Sequence, residues 1–152
     1  MKVAIRRGLL TGLFAGLVLA MLDVVVDGVP GNGLQEILRW FGITFADAGL
    51  SRLAGFALVI VLGGIFGVIF GFILNRVNAQ AVTINRAIPL GLLLGFAWWL
   101  LLSQILCNIA HHIAPFSFNF TNVLLTLPLN LVFGIVLGTA YYQFQAKNAE
   151  EI

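Results

Sequence analysis

A bundle of four membrane-spanning helices is the fold class that this sequence predicts, and three observations carry the prediction. Only 9% of the 152 residues are charged and 61% are hydrophobic, with a mean hydropathy of +1.05; so little polar surface cannot cover a soluble core. Apolar stretches at 8–29, 53–74, 88–106 and 123–144 match the about 20 helical residues needed to cross a hydrocarbon layer of about 30 Å. Each stretch also carries glycines four apart, on one helix face: Gly8, Gly12 and Gly16; Gly63, Gly67 and Gly71; Gly91 and Gly95; Gly134 and Gly138. In lipid, where apolar burial does not drive helices together, such faces let backbones approach closely. The expectation is one membrane domain over 1–152, with the four helices packed through their GxxxG faces.

The first span ends in Asp23 and Asp27, which share the glycine face and so point into the bundle. A carboxylate inside a span is costly and marks ion, proton or ligand handling. The competing reading pairs the two with Arg39 or Arg52 at the wet helix end. Pro30, Gly31 and Gly33 then break the helix. The span is too long for a signal peptide and lacks a small-residue cleavage site before Asp23, so it is expected to be retained.

Beyond it, Leu34, Ile37, Leu38 and Phe41 recur at helical spacing, with Gln35, Glu36 and Arg39 opposite. This predicts a short interfacial helix at 33–41, in the first outward loop. A loop follows, with Ser51 as the expected N-cap of the second span.

The third span opens near Pro89, carries Gly91 and Gly95, and then places Trp98 and Trp99 at mid-depth. Its outward half holds Gln104, Cys107, Asn108 and His111 on a polar stripe opposite the glycines. That stripe is a second polar face of the helix, available to a partner protein. The fourth span contains Pro128, expected to kink it by leaving the Leu124 carbonyl unpaired. Asn130, Gly134, Gly138 and Tyr141 line one side of it.

The two halves align without gaps. Ile65–Gly71 (IFGVIFG) lies over Val132–Gly138 (VFGIVLG), and Gly8–Phe14 (GLLTGLF) over Gly91–Ala97 (GLLLGFA). Two duplicated hairpins of the same topology are therefore expected, related by a pseudo-two-fold axis along the membrane normal. Gly16 then meets Trp99 and Gly63 meets Asn130.

Lys2, Arg6, Arg7, Arg76, Arg86 and Lys147 place both termini and the 75–86 connection in the cytoplasm by the positive-inside rule. The opening GLLTGLFAGL has the character of small bacterial membrane proteins, so the expected location is the bacterial inner membrane. With the glycines in the inner halves, the bundle should be pinched inside and splayed outside, giving an outward wedge lined by Asp23, Asp27, Trp98 and Asn130.

His111 and His112 with the two carboxylates supply a donor set for zinc. Adjacent helical histidines, however, point about 100° apart. A single histidine beside Trp98 and Trp99 could instead ligate a tetrapyrrole. Neither pattern specifies a cofactor. Cys107 reads as an inert buried side chain, and no nucleophile, phosphate loop or metal motif is present. A net charge of +2 argues against nucleic acid as a partner.

The function expected from these features is non-enzymatic. One reading is an accessory or assembly subunit that contacts other membrane subunits or copies of itself. A second is a small cation or proton transporter using Asp23 and Asp27. A third is a binder of pigment, haem, quinone or lipid in the wedge.

Overall fold

The computed structural model describes residues 2–26, 34–77, 83–110, 112 and 120–150. Among them every regular element is helical: α1 (Lys2–Val26), α2 (Leu34–Trp40), α3 (Ala48–Val77), α4 (Ile84–Trp99), a π-helical segment (Leu100–Leu106), α5 (Cys107–Ala110) and α6 (Phe120–Glu150). Four helical runs are long and apolar enough to cross a membrane: Val3–Val26, Ala48–Val77, Ile84–Ala110 and Phe120–Gln145. The chain is an integral membrane protein by length and composition.

The helices overrun the apolar stretches by up to two turns, because polar residues at a helix end need not stop it. The α3 helix starts at Ala48 rather than at Ser51, and Asp47 caps it. Its Oδ1 accepts from the Leu50 amide at 2.7 Å and its carbonyl from the Ser51 amide at 3.0 Å, which satisfies donors of the first turn. Ser51 is instead buried inside the helix. The early start of α4 at Ile84 likewise moves Pro89 out of the first turn, and α6 stays helical through Pro128.

The α2 helix turns Leu34, Ile37 and Leu38 onto the bundle, where all three are buried. It ends in a Schellman motif: the Ile43 amide donates to the Leu38 carbonyl at 3.0 Å and the Gly42 amide to that of Arg39 at 2.9 Å. Gly42 supplies the left-handed φ of 71° that this turn requires. The segment packs against α3 at Gly55, where an added Cβ would overlap the Leu34 carbonyl.

The α1 helix pairs with α3, and α4 pairs with α6. In both pairs the backbones are close enough that an added methyl would collide with the opposite main chain. A Cβ at Gly8 or Gly12 would overlap the carbonyl of Gly67 or Gly63; a Cβ at Gly91 or Gly95 would overlap that of Gly134 or Asn130. In the reverse direction, Gly71 faces the Ala4 carbonyl and Gly138 that of Ala87, each 2.5 Å from the built Cβ. Under the gapless alignment of the two halves these partners are equivalent. The register of one helix pair therefore repeats in the other.

The repeat fails one turn further on. Gly16 would bring a Cβ to 3.0 Å from the Val59 carbonyl, and Gly63 would bring one to 2.6 Å from the Gly16 Cα. The equivalent positions in the second pair hold Trp99, Thr126 and Asn130. Larger side chains therefore stand in the second pair at the level where the first pair has Gly16 and Gly63. The π-helix begins directly after Trp99.

Candidate functional site

Asp23 from α1, Trp98 from α4 and Asn130 from α6 line one cavity of about 30 Å³. Leu19, Val26, Ile37, Val59, Leu62, Leu102, Ser103 and Thr126 complete its wall. Leu19 and Leu102 are equivalent under the alignment, as are Val59 and Thr126. The wall thus draws on α1, α2, α3, α4, the π-helical segment and α6. The cavity is roofed by Ile37 of α2.

One aromatic side chain, Trp98, lines it. Trp98 packs between Phe66, with ring centroids 4.5 Å apart, and Phe133, at 4.9 Å; the two phenylalanines are again equivalent positions. One turn further toward the chain ends, Phe70 meets Tyr141 edge-on at 5.4 Å. Of these rings Trp98 lines the cavity.

The polar wall is built by the second hairpin. The Trp99 indole nitrogen donates to Thr126 Oγ1 at 2.9 Å, and that hydroxyl donates to the Asn122 carbonyl at 2.8 Å. Asn130 Nδ2 donates to the Thr126 carbonyl at 2.7 Å. A carbonyl only accepts, so the amide orientation of Asn130 is fixed by chemistry. Its Oδ1 is buried and finds no hydrogen-bond partner among the described residues. Such an atom in an apolar interior calls for a partner.

The π-helix changes the role of the polar stripe. Gln104, Cys107 and Asn108 are buried within the chain, Gln104 to 2% exposure, and so do not form the open face that a straight α-helix predicts. Each residue of an i→i+5 turn advances by less than the α-helical step of about 100°. Seven such residues swing the following side chains from the lipid side toward the other helices. Sequence periodicity carries no signal for this, because it presupposes a constant step.

Asp27 and His111 lie outside the described residues. His112 is exposed and closes α5 with a left-handed φ of 57°, its amide donating to the Ile109 carbonyl at 3.0 Å. Among the described residues no three His, Cys, Asp or Glu side chains gather at a metal-binding distance. A separate recess of about 210 Å³ beside the start of α3 is lined by Arg39, Thr44, Phe45, Ala46, Ala48 and Ser51. The helix end next to it is already capped by Asp47. Comparison of the chain with known protein families, with curated proteins and with solved structures finds no match.

Proposed function

We propose that this chain is a small, non-enzymatic membrane protein that takes a cation or proton into the cavity beside Asp23. The observation that carries the reading is the buried, unpartnered Oδ1 of Asn130 in a cavity wall shared with a carboxylate. Helix packing alone does not call for that polarity, since the first hairpin packs at the equivalent positions with Ala20, Val59 and Gly63. A cavity of about 30 Å³ has room for about one water-sized body. It has none for a tetrapyrrole, quinone or lipid without a rearrangement of the walls, which disfavours the ligand-binding alternative.

In this reading the glycine faces are the locks that hold two duplicated hairpins in lipid, and α2 lies at the outer membrane surface as a cover over the cavity. Both chain ends face the cytoplasm of a bacterial inner membrane. The alternative of an accessory subunit, associating with other membrane subunits or with itself, drew its particular support from the polar stripe of the third span. Burial of Gln104, Cys107 and Asn108 weakens that support.

The test is uptake by vesicles containing the purified protein, driven by an imposed proton or sodium gradient. Wild-type protein should accelerate uptake over protein-free vesicles, and Asp23→Asn should abolish the acceleration. Equal rates with and without wild-type protein would refute the reading. Stoichiometric companion proteins in intact-complex mass spectrometry would then favour the accessory subunit.

A further inference from the structure

We propose that the face of α6 bearing Asn122, Thr126 and Asn130 is a hydrated seam, along which water enters from the end of the bundle distant from the chain ends and reaches the cavity. As the route of the species taken up, the seam rests on the reading given above; its hydration is tested without transport.

The three residues recur at i, i+4 and i+8, so they lie one above another on one face of α6. That face turns toward the third span, since Thr126 Oγ1 accepts from the Trp99 indole nitrogen at 2.9 Å, and Thr126 and Asn130 line the cavity. Asn130 lies about 15 Å along α6 from its start at Phe120, near half the depth of a hydrocarbon layer of about 30 Å. Asn122 stands in the first turn of the same helix. The seam therefore joins mid-depth to the membrane boundary.

Two side-chain oxygens on this face, Asn122 Oδ1 and Asn130 Oδ1, are buried and have no hydrogen-bond partner among the described residues. Asn130 as a whole is 6% exposed. The Thr126 hydroxyl hydrogen goes to the Asn122 carbonyl, and one Asn130 amide hydrogen goes to the Thr126 carbonyl. What the cavity wall has left is mixed. Asn130 keeps its oxygen and a second amide hydrogen, Thr126 keeps one lone pair, and Ser103 lines the same cavity with a hydroxyl that both gives and accepts. Such a set matches water, which does both as well. A volume of about 30 Å³ and about three polar partners are what one buried water requires.

The equivalent face of the other hairpin is apolar. Under the gapless alignment Asn122, Thr126 and Asn130 stand where α3 has Gly55, Val59 and Gly63. A Cβ on Gly55 would overlap the Leu34 carbonyl, one on Gly63 would stand 2.6 Å from the Gly16 Cα, and Val59 is 1% exposed. Main chain and one apolar side chain fill that face, so helix pairing does not by itself require polar groups at these levels.

The experiment is hydrogen exchange in the purified full chain in lipid nanodiscs, followed by nuclear magnetic resonance of the asparagine side-chain amides after transfer into heavy water. In the wild type the Asn122 and Asn130 side-chain amides should exchange at least about tenfold faster than the backbone amides of Leu129 and Leu131, which exchange only when α6 itself opens. Asn122→Leu makes the mouth of the seam apolar and leaves in place the backbone carbonyl that Thr126 uses; it should slow exchange at Asn130 at least about tenfold. Asn130 amide hydrogens that last as long as those backbone amides would mean a dry cavity and would overturn the proposal. Fast exchange at Asn130 that Asn122→Leu leaves unchanged would mean that water arrives by another route and would overturn it too. The wild-type comparison needs no variant and stands even if Asn122→Leu fails to fold. Fast exchange that Asn122→Leu slows, in a chain that takes up neither proton nor cation, would support the seam and refute the transport reading; a dry seam with Asp23-dependent uptake would do the reverse.

Discussion

The indole nitrogen of Trp99 donates to the Thr126 hydroxyl at 2.9 Å, and the two residues occupy the positions that Gly16 and Val59 hold in the other hairpin. There the backbones are nearly in contact, with a Cβ on Gly16 falling 3.0 Å from the Val59 carbonyl. One level of the bundle is thus closed by main chain on one side and bridged by a hydrogen-bonded indole on the other. Thr126 also lines the cavity.

Thr126→Val should therefore cost about 1–2 kcal/mol of unfolding free energy, because it leaves the buried indole N–H without an acceptor. The double variant Trp99→Phe with Thr126→Val should lose less than the sum of the single losses, since no orphaned donor remains. Reversible unfolding of the four proteins of this cycle in mixed detergent measures the coupling. Strict additivity would show that the bond contributes nothing beyond shape.

Gly63 and Gly64 are neighbours with different surroundings. A Cβ at Gly63 would stand 2.6 Å from the Gly16 Cα and 2.7 Å from the Gly12 carbonyl oxygen, which are backbone atoms that cannot move alone. At Gly64 it would meet the Leu13 Cδ2 at 2.9 Å and the Leu9 Cδ1 at 3.2 Å, both ends of flexible side chains. Gly63→Ala should destabilise by about 1–3 kcal/mol. Gly64→Ala should be near neutral, since relief of up to about 1 kcal/mol of helix cost offsets the side-chain shift. Equal unfolding midpoints for the two variants would contradict the packing described here.

The repeated register makes a paired prediction. Gly12 and Gly95 face equivalent atoms, the carbonyls of Gly63 and Asn130 followed by the Cα atoms of Gly67 and Gly134. Alanine at either position should force its helix pair apart by a similar amount and cost a similar about 1–3 kcal/mol. The two losses should add in the double variant, because each falls within a separate pair. Stability measurements on both single variants and the double variant decide this; a loss confined to one hairpin would mean that the second pair tolerates separation.

How much of this was legible in the sequence depends on which physical signal each feature leaves. The four spans follow from apolar length, and the meeting of Gly8 with Gly67 and of Gly91 with Gly134 is consistent with spacing alone. Asp23, Trp98 and Asn130 line one cavity, and their share in it follows the common face that helical spacing gives them. Ser103 and Thr126 were not expected there, because an isolated hydroxyl in an apolar run reads as an ordinary helix residue bonding its own backbone. Thr126 does this too, at 2.8 Å to Asn122. The capping role of Asp47 was hidden by the apolar start of the span at Leu53. The largest departure is the π-helix: hydrophobic periodicity reports side-chain chemistry along an assumed step, and Leu100–Leu106 carries no Pro or Gly to announce a change of step.

That change of step makes the lone cysteine a reporter. On an uninterrupted α-helix Cys107 falls opposite Gly91 and Gly95 and faces outward; with the π-helix in place it is buried at 4% exposure, while Ile109 is 53% exposed. A buried thiol reacts only after local opening. In detergent, wild-type protein should therefore react with a small maleimide at least about tenfold more slowly than the Cys107→Ser, Ile109→Cys variant, and the two rates should converge once the protein is unfolded. The comparison needs no assumption about function, since both sites lie on the same short helix at nearly the same depth. Fast labelling of Cys107 in the folded protein would mean that the outward half of the third span keeps a plain α-helical step. Gln104 and Asn108 would then return to the outer face, and the partner-binding reading of that face would regain its basis.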